Sequence, residues 1–149
     1  MRKVLLLGAL ALGLIVFAIP QGVEAGPRHG LQKWAVIVGT DHFQGSTRPN
    51  VGAVGDAHAM RDALVRNGWP EDHILMLVER DATASRIRDG FRWLAERSTD
   101  ESYSVFHFSG HVKLKSAADG DNEGTDEHLW PYDNKHIPDG EFAEAMRAV

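Results

Sequence analysis

No cysteine occurs anywhere in the 149 residues. That absence excludes disulfide cross-links, a lipid-modified lipoprotein terminus, and a thiol nucleophile supplied by these residues themselves. Basic side chains are also scarce, 16 against 21 acidic ones. Setting aside Arg2, Lys3 and Glu24 in the leader leaves 14 and 20, a net charge of −6, which repels phosphate backbones and anionic lipid. Nucleic acid is therefore not an expected partner. The sequence shows no internal repeat and no low-complexity tract, and its composition is that of an ordinary globular protein.

Long apolar runs are missing too, with one exception at the N-terminus. Arg2 and Lys3 precede an uncharged stretch from Val4 to Ile19, Pro20 closes it, and Val23-Glu24-Ala25 puts small residues at −3 and −1 of a cleavage site. This is the pattern of a secretory signal peptide, and the run is shorter than the roughly 20 residues a membrane-spanning helix needs. Residues 1–25 are read as that signal, 26–32 as a short leader and 33–149 as one domain, exported to the periplasm or beyond the cell. No stable membrane association is expected once the signal is removed.

Within the domain, Lys33-Trp34-Ala35-Val36-Ile37-Val38-Gly39 is a continuous apolar run closed by glycine, as in a strand buried on both faces. Ala53, Ala57, Met60 and Leu64 fall three or four apart and predict a helix from Ala53 to Asn67, stopped by Gly68. Ile74 to Val78 is a second strand. Thr83 or Asp81 caps a helix that buries Ile87, Phe91 and Leu94, with Arg86, Arg88, Arg92 and Arg97 on its solvated side. Tyr103 to Ser109 is a third strand, followed by a long acidic loop and a last helix from Asp139 that is still running at Val149.

Alternation of strands and helices argues for an α/β domain with a parallel sheet, whose chemistry collects at the carboxyl ends of the strands. At one such end stands Ser109-Gly110-His111, on the side where the Thr40–Asp56 loop also emerges. A histidine released there by glycine can act as a general base. His107 is read instead as a core histidine satisfied by hydrogen bonds, since a metal pair four residues apart normally rides on a helix. His42 and His58 are read as surface residues, and Trp34, Trp93 and Trp130 as packing.

Several segments, in order, resemble the caspase-like cysteine peptidases, and most nearly the metacaspase and bacterial caspase-domain branch. They are Trp34 to Thr40, Val51 to Ala57, Ala82-Thr83, Phe106 to His111, and Asp119 to Asp121 through Leu129 to Asp133. The resemblance covers residues 33–149. It implies a caspase-like, flavodoxin-like α/β fold and cysteine-type endopeptidase activity on peptide or protein substrates. It assigns His111 as the catalytic histidine, and Asp56 as the S1 acid that selects arginine or lysine before the scissile bond. It also implies that the nucleophilic cysteine follows a fourth strand, so this chain is expected to be a piece of a longer peptidase.

Two departures qualify the carry-over. The oxyanion-hole position after the histidine, glycine in the family, is Val112, which keeps an N–H but would be strained at positive φ. The chemistry requires no cofactor. Calcium is nonetheless implied for some relatives, and Asp119, Asp121 and Glu123 occupy positions 1, 3 and 5 of an EF-hand-like loop whose position 12 is Trp130. Asp126 and Asp139 lie near the family's ligand carboxylates. The alternative function is a non-catalytic, calcium-responsive binding module built on the same fold.

Overall fold

The computed structural model describes residues 30–116 and 125–149. The expected signal peptide and the acids Asp119, Asp121 and Glu123 lie outside the described residues. No helix among those residues is long and apolar enough to cross a membrane.

Three strands make a parallel sheet in the order β2-β1-β3: β1 (Gln32–Gly39), β2 (Ile74–Val78) and β3 (Ser102–Ser109). The first strand is central, pairing Ala35 with Ile74 on one side and with Val105 on the other. Its run Ala35-Val36-Ile37-Val38 is fully buried because both faces are covered. Val36 and Val38 face a cluster with Leu77, Ile87, Phe91, Leu94 and Ile137, while Ala35 and Ile37 face Ala57, Met60 and Leu64. Successive side chains of a strand point to opposite faces, so one apolar run serves two cores.

Helix α1 (Ala53–Arg66) covers the second face. It lies hard against the end of β1: a Cβ at Gly39 would stand 2.7 Å from both the Ala53 carbonyl oxygen and the Ala57 Cβ. Small residues on both partners permit that approach. The helix has no side chain at its Gly52 cap; Asp41 instead reaches across, Oδ1 accepting the Ala53 N–H at 2.7 Å and Oδ2 the Val54 N–H at 3.4 Å. An acid at the orphan N–H groups of a first turn satisfies them and complements the helix dipole.

On the opposite face lies α2 (Ala84–Ala95), capped as expected by Thr83, which accepts the Arg86 N–H at 3.4 Å. Its buried residues are Ala84, Ile87, Gly90, Phe91 and Leu94, and Phe91 meets Phe106 at 5.0 Å between ring centroids. Burial of each such large side chain stabilises the fold by about 1.5–3 kcal/mol. The last helix, α3 (Asp139–Arg147), adds Phe142 at 5.2 Å from Phe106, and stops before Val149, with Ala148 as its C-cap. Arg88 is not on a purely solvated face. Its guanidinium grips Glu141 with two nitrogens, Nη2 to Oε2 at 2.8 Å, and ties α2 to α3. Arg97 likewise lies over the Trp93 ring, 4.5 Å from its centroid.

The expected long loop before α3 is in part a second sheet. Strands β4 (Val112–Ser116), β5 (Thr125–Leu129) and β6 (Ile137–Pro138) pair antiparallel in that order. Lysine alternates with apolar residues in Val112-Lys113-Leu114-Lys115, the period of two of a strand; β4 is the edge of its sheet, and Val112 and Leu114 are exposed along with the lysines.

Candidate functional site

His111 sits in the one-residue gap between Gly110, after β3, and Val112, which opens β4. Gly110 is needed there for space, since a Cβ would come within 3.0 Å of the Phe108 ring. The imidazole is half-buried between three partners. Its ring stacks on Phe43 at 4.9 Å with the planes 9° apart. Trp130 approaches edge-on at 5.9 Å. Its Nε2 lies 2.9 Å from the Arg48 carbonyl oxygen.

That last contact settles the tautomer. A carbonyl can only accept, so Nε2 carries hydrogen and the lone pair of the neutral ring is left on Nδ1. None of the described residues hydrogen-bonds to Nδ1. The loop after β1 therefore supplies both the ring's face, through Phe43, and its hydrogen-bond anchor, through Arg48, as the shared edge of the sheet required. Phe43 is 8% exposed, which marks it as a fixed wall rather than a surface side chain.

Asp56, in the first turn of α1, reaches the same edge. Its Oδ2 accepts the hydroxyl hydrogen of Ser109 at 2.9 Å, two residues before His111, and the carboxylate remains exposed to solvent. An exposed carboxylate held in this way can pair with an incoming cationic side chain.

Val112 does not suffer the strain that its branched side chain would bring at positive φ. Among the described residues the non-glycine positions with positive φ are Glu79 and Asn134. The Trp130 N–H donates to the His111 carbonyl at 3.0 Å, so 111 and 130 form a bonded pair and Val112 with Leu129 the adjacent non-bonded one. By that alternation the Val112 N–H is directed away from β5, toward the open side of β4. A donor is thus presented one residue beyond the histidine.

Of the carboxylates considered for calcium, Asp126 and Asp139 lie among the described residues. Asp126 is buried on β5, and Asp139 begins α3 with Oδ1 accepting the Gly140 N–H at 2.8 Å. Among the described residues no group of three or more histidine, aspartate or glutamate side chains could hold a metal ion.

Of the other histidines, one departs from its sequence reading. His107 is not satisfied by hydrogen bonds: its Nε2 is buried with no partner among the described residues. His42 is exposed as expected but paired, Nδ1 at 3.1 Å from Glu79 Oε1, while its own N–H donates to Oε2. His136 packs edge-on against Trp130 at 4.6 Å, and burial, with the positive Lys115 and Lys113 and then His128 nearby, lowers its pKa below the usual histidine value.

Sequence reasoning missed most of the wall around His111. Trp130 was expected only to pack, yet its ring edge meets the imidazole and its backbone N–H donates to the His111 carbonyl. Phe43 and Tyr132 also line a cleft of about 410 Å³ together with His42, Glu79 and Arg80, over the carboxyl ends of β1 and β2. Phe43 is shared, one wall of the cleft and the stacking surface of His111. The run Asp41-His42-Phe43, with an aromatic residue in an otherwise polar loop, was the available signal.

Comparison with known proteins bears on this geometry. A sequence model of the caspase domain matches residues 32–148. Metacaspase-3 of Arabidopsis thaliana is 38% identical over 112 residues, covering 70% of this chain and 31% of the relative. Metacaspase-2 of the same plant is 36% identical over 117 residues, covering 73% and 28%. Metacaspase-1 of Meyerozyma guilliermondii is 31% identical over 126 residues, covering 77% and 30%. The chain spans less than a third of the length of these relatives. The crystal structure of a Geobacter sulfurreducens protein superposes with a TM-score of 0.67 at 18% identity, covering 78% of this chain and 45% of that one, which supports the α/β fold.

Proposed function

Because the chain belongs to the caspase-domain family, whose members are cysteine peptidases, we propose that it is the histidine-bearing part of an endopeptidase that cuts after arginine or lysine. The observation that carries this reading is the anchoring of His111 by the Arg48 carbonyl, which leaves Nδ1 as a base at the carboxyl edge of the sheet. In the reaction Nδ1 takes the proton of a thiol, and the thiolate sulfur bonds to the scissile carbonyl carbon. The imidazolium then gives that proton to the amine as the C–N bond breaks. Water, deprotonated by the same nitrogen, then bonds to the acyl carbon; the C–S bond breaks and the thiolate takes the proton back.

The thiol is not among these 149 residues. Asp56 supports basic specificity, since an exposed carboxylate beside the base would pair with a substrate guanidinium or ammonium. The Val112 N–H, directed to the open side of β4, supports an oxyanion donor at that position. Export through the N-terminal segment and a calcium requirement belong to this proposal as well, the first resting on the Val4–Ile19 run and the second on the acidic stretch 119–126.

The absence of cysteine favours a second reading, a non-catalytic binding module of the same fold. Hydrolysis of an arginine reporter peptide by the full product of the reading frame separates the two, with and without added calcium. Under the first reading His111→Ala lowers kcat by about 10²–10⁴-fold, the usual contribution of a general acid–base group. Asp56→Asn lowers kcat/KM for the arginine peptide by at least about tenfold, the loss of one hydrogen-bonded charge pair. Parent-like rates in His111→Ala would remove the histidine from the mechanism, and a full product that lacks both cysteine and hydrolysis supports the binding module.

A further inference from the structure

We infer that Asn134 is a positioning residue for the His111 imidazole, clamping together the two segments that hold it. The inference rests on the reading of His111 as the base, and it concerns a residue outside the loop that contacts the ring from the β1 side. Three side-chain bonds meet at its amide. Oδ1 accepts the indole N–H of Trp130 at 2.6 Å and the hydroxyl of Thr47 at 2.9 Å, and Nδ2 donates to the Gln44 carbonyl at 2.6 Å. The orientation of the amide is forced, because an indole N–H only donates and a carbonyl only accepts.

Each partner sits beside a contact of His111. Gln44 follows Phe43, the stacking face, and Thr47 precedes Arg48, whose carbonyl holds Nε2. Trp130 gives the ring its edge contact. The backbone repeats the link once, with the Gln44 N–H donating to the Tyr132 carbonyl at 2.8 Å. The 130–134 segment is itself docked on the sheet's other side, where the Tyr132 N–H donates to Ala82 O at 2.9 Å and Asp133 Oδ1 accepts the Ala84 N–H at 3.0 Å. The clamp therefore refers the loop after β1 to the start of α2 rather than leaving it to solvent.

Asparagine is the side chain this place calls for. Its backbone is left-handed at φ 58°, a region asparagine enters more readily than most residues. Aspartate would keep the acceptor for Trp130 and Thr47 but face the Gln44 carbonyl with a second acceptor. Glycine would keep the backbone and lose the amide.

The test uses the full product of the reading frame and needs no peptidase activity, so its failure is distinct from failure of the peptidase reading. Nitrogen-15 NMR of the imidazole side chains reads the exchange of the His111 Nε2 hydrogen with water. His73, whose Nδ1 lies 3.1 Å from the Lys33 carbonyl and whose ring stacks on Trp34, is the internal control far along the chain. Both N134D and N134G are expected to speed exchange at His111 by at least about fivefold, the factor for one net hydrogen bond, and to leave His73 unchanged. Unchanged exchange at His111 in N134G would overturn the inference. Should both variants also disturb His73, T47A decides: it removes one partner of the amide, and parent-like exchange at His111 in T47A overturns the inference equally.

Discussion

Gly39→Ala tests the link between the sheet and the helix that carries Asp56. The added Cβ would stand 2.7 Å from the Ala53 carbonyl oxygen and from the Ala57 Cβ, against about 3.5 Å for comfortable contact. One obstacle is backbone, so α1 must move as a body by several tenths of an ångström. Overpacking of this kind costs about 1–3 kcal/mol, and the rigid carbonyl puts Gly39→Ala in the upper half of that range. Alanine also restricts the unfolded chain, which offsets about 0.4–1 kcal/mol, because Gly39 does not occupy the left-handed region. The net expectation is a loss of about 2 kcal/mol in urea denaturation, with an unchanged m-value. Gly55→Ala is the matched control: it lies in α1 with nothing within 4 Å of its Cβ, and should gain about 0.5–1 kcal/mol. Adding Ala57→Gly to Gly39→Ala should not restore stability, because the Ala53 carbonyl stays in place. A Gly39→Ala protein within about 0.5 kcal/mol of the parent, a spread usual for surface changes, would refute the close approach of α1 to β1.

Three further outcomes follow from contacts already described. Asp41→Ala should cost about 1 kcal/mol in the same assay by uncapping α1, with Asp41→Asn losing less. Glu141→Gln should cost about 0.5 kcal/mol at neutral pH, a small value because both partners are more than a third exposed and screened. The Arg88 hydrogen bond lowers the Glu141 pKa from its usual 4.5, so the folded state keeps the carboxylate charged where the unfolded chain takes up a proton. The difference between parent and Glu141→Gln is therefore complete above about pH 4.5 and disappears as pH falls through the lower folded value, as urea titrations across that range would record. His136, held neutral by burial and by Lys115 and Lys113, works in the same sense: the parent loses stability as pH drops below the usual histidine value of 6.5, and His136→Phe should flatten that part of the pH profile.

The parallel half of the fold is legible in the sequence because it depends on local pattern. Ile74 to Val78 and the stripe from Ala53 to Leu64 announce their elements through apolar spacing, and the register then carries His111 and Asp56 to one edge without further information. The antiparallel sheet was harder to see. Thr125 to Leu129 contains two acids and a histidine, and its burial of Asp126 and His128 comes from neighbours distant in sequence. Arg88 was misplaced for a similar reason, since its partner Glu141 lies 53 residues away. The histidine of the candidate site could be named from Gly110-His111, but its surroundings could not: Phe43 comes from one loop and Trp130 and Asn134 from another, and no periodicity encodes their meeting.

The central place of β1 has a consequence for synthesis. The strand that both neighbours need is the first to leave the ribosome, and its partners at β2 and β3 trail it by about 40 and 70 residues in the observed register. At about 5–20 residues per second, the run Ala35 to Val38 waits about 4–14 s for its second neighbour. During that interval four residues destined for complete burial have one finished side at most. Early docking of α1, the next element in the chain, would cover one face of its most apolar strand before either neighbour arrives.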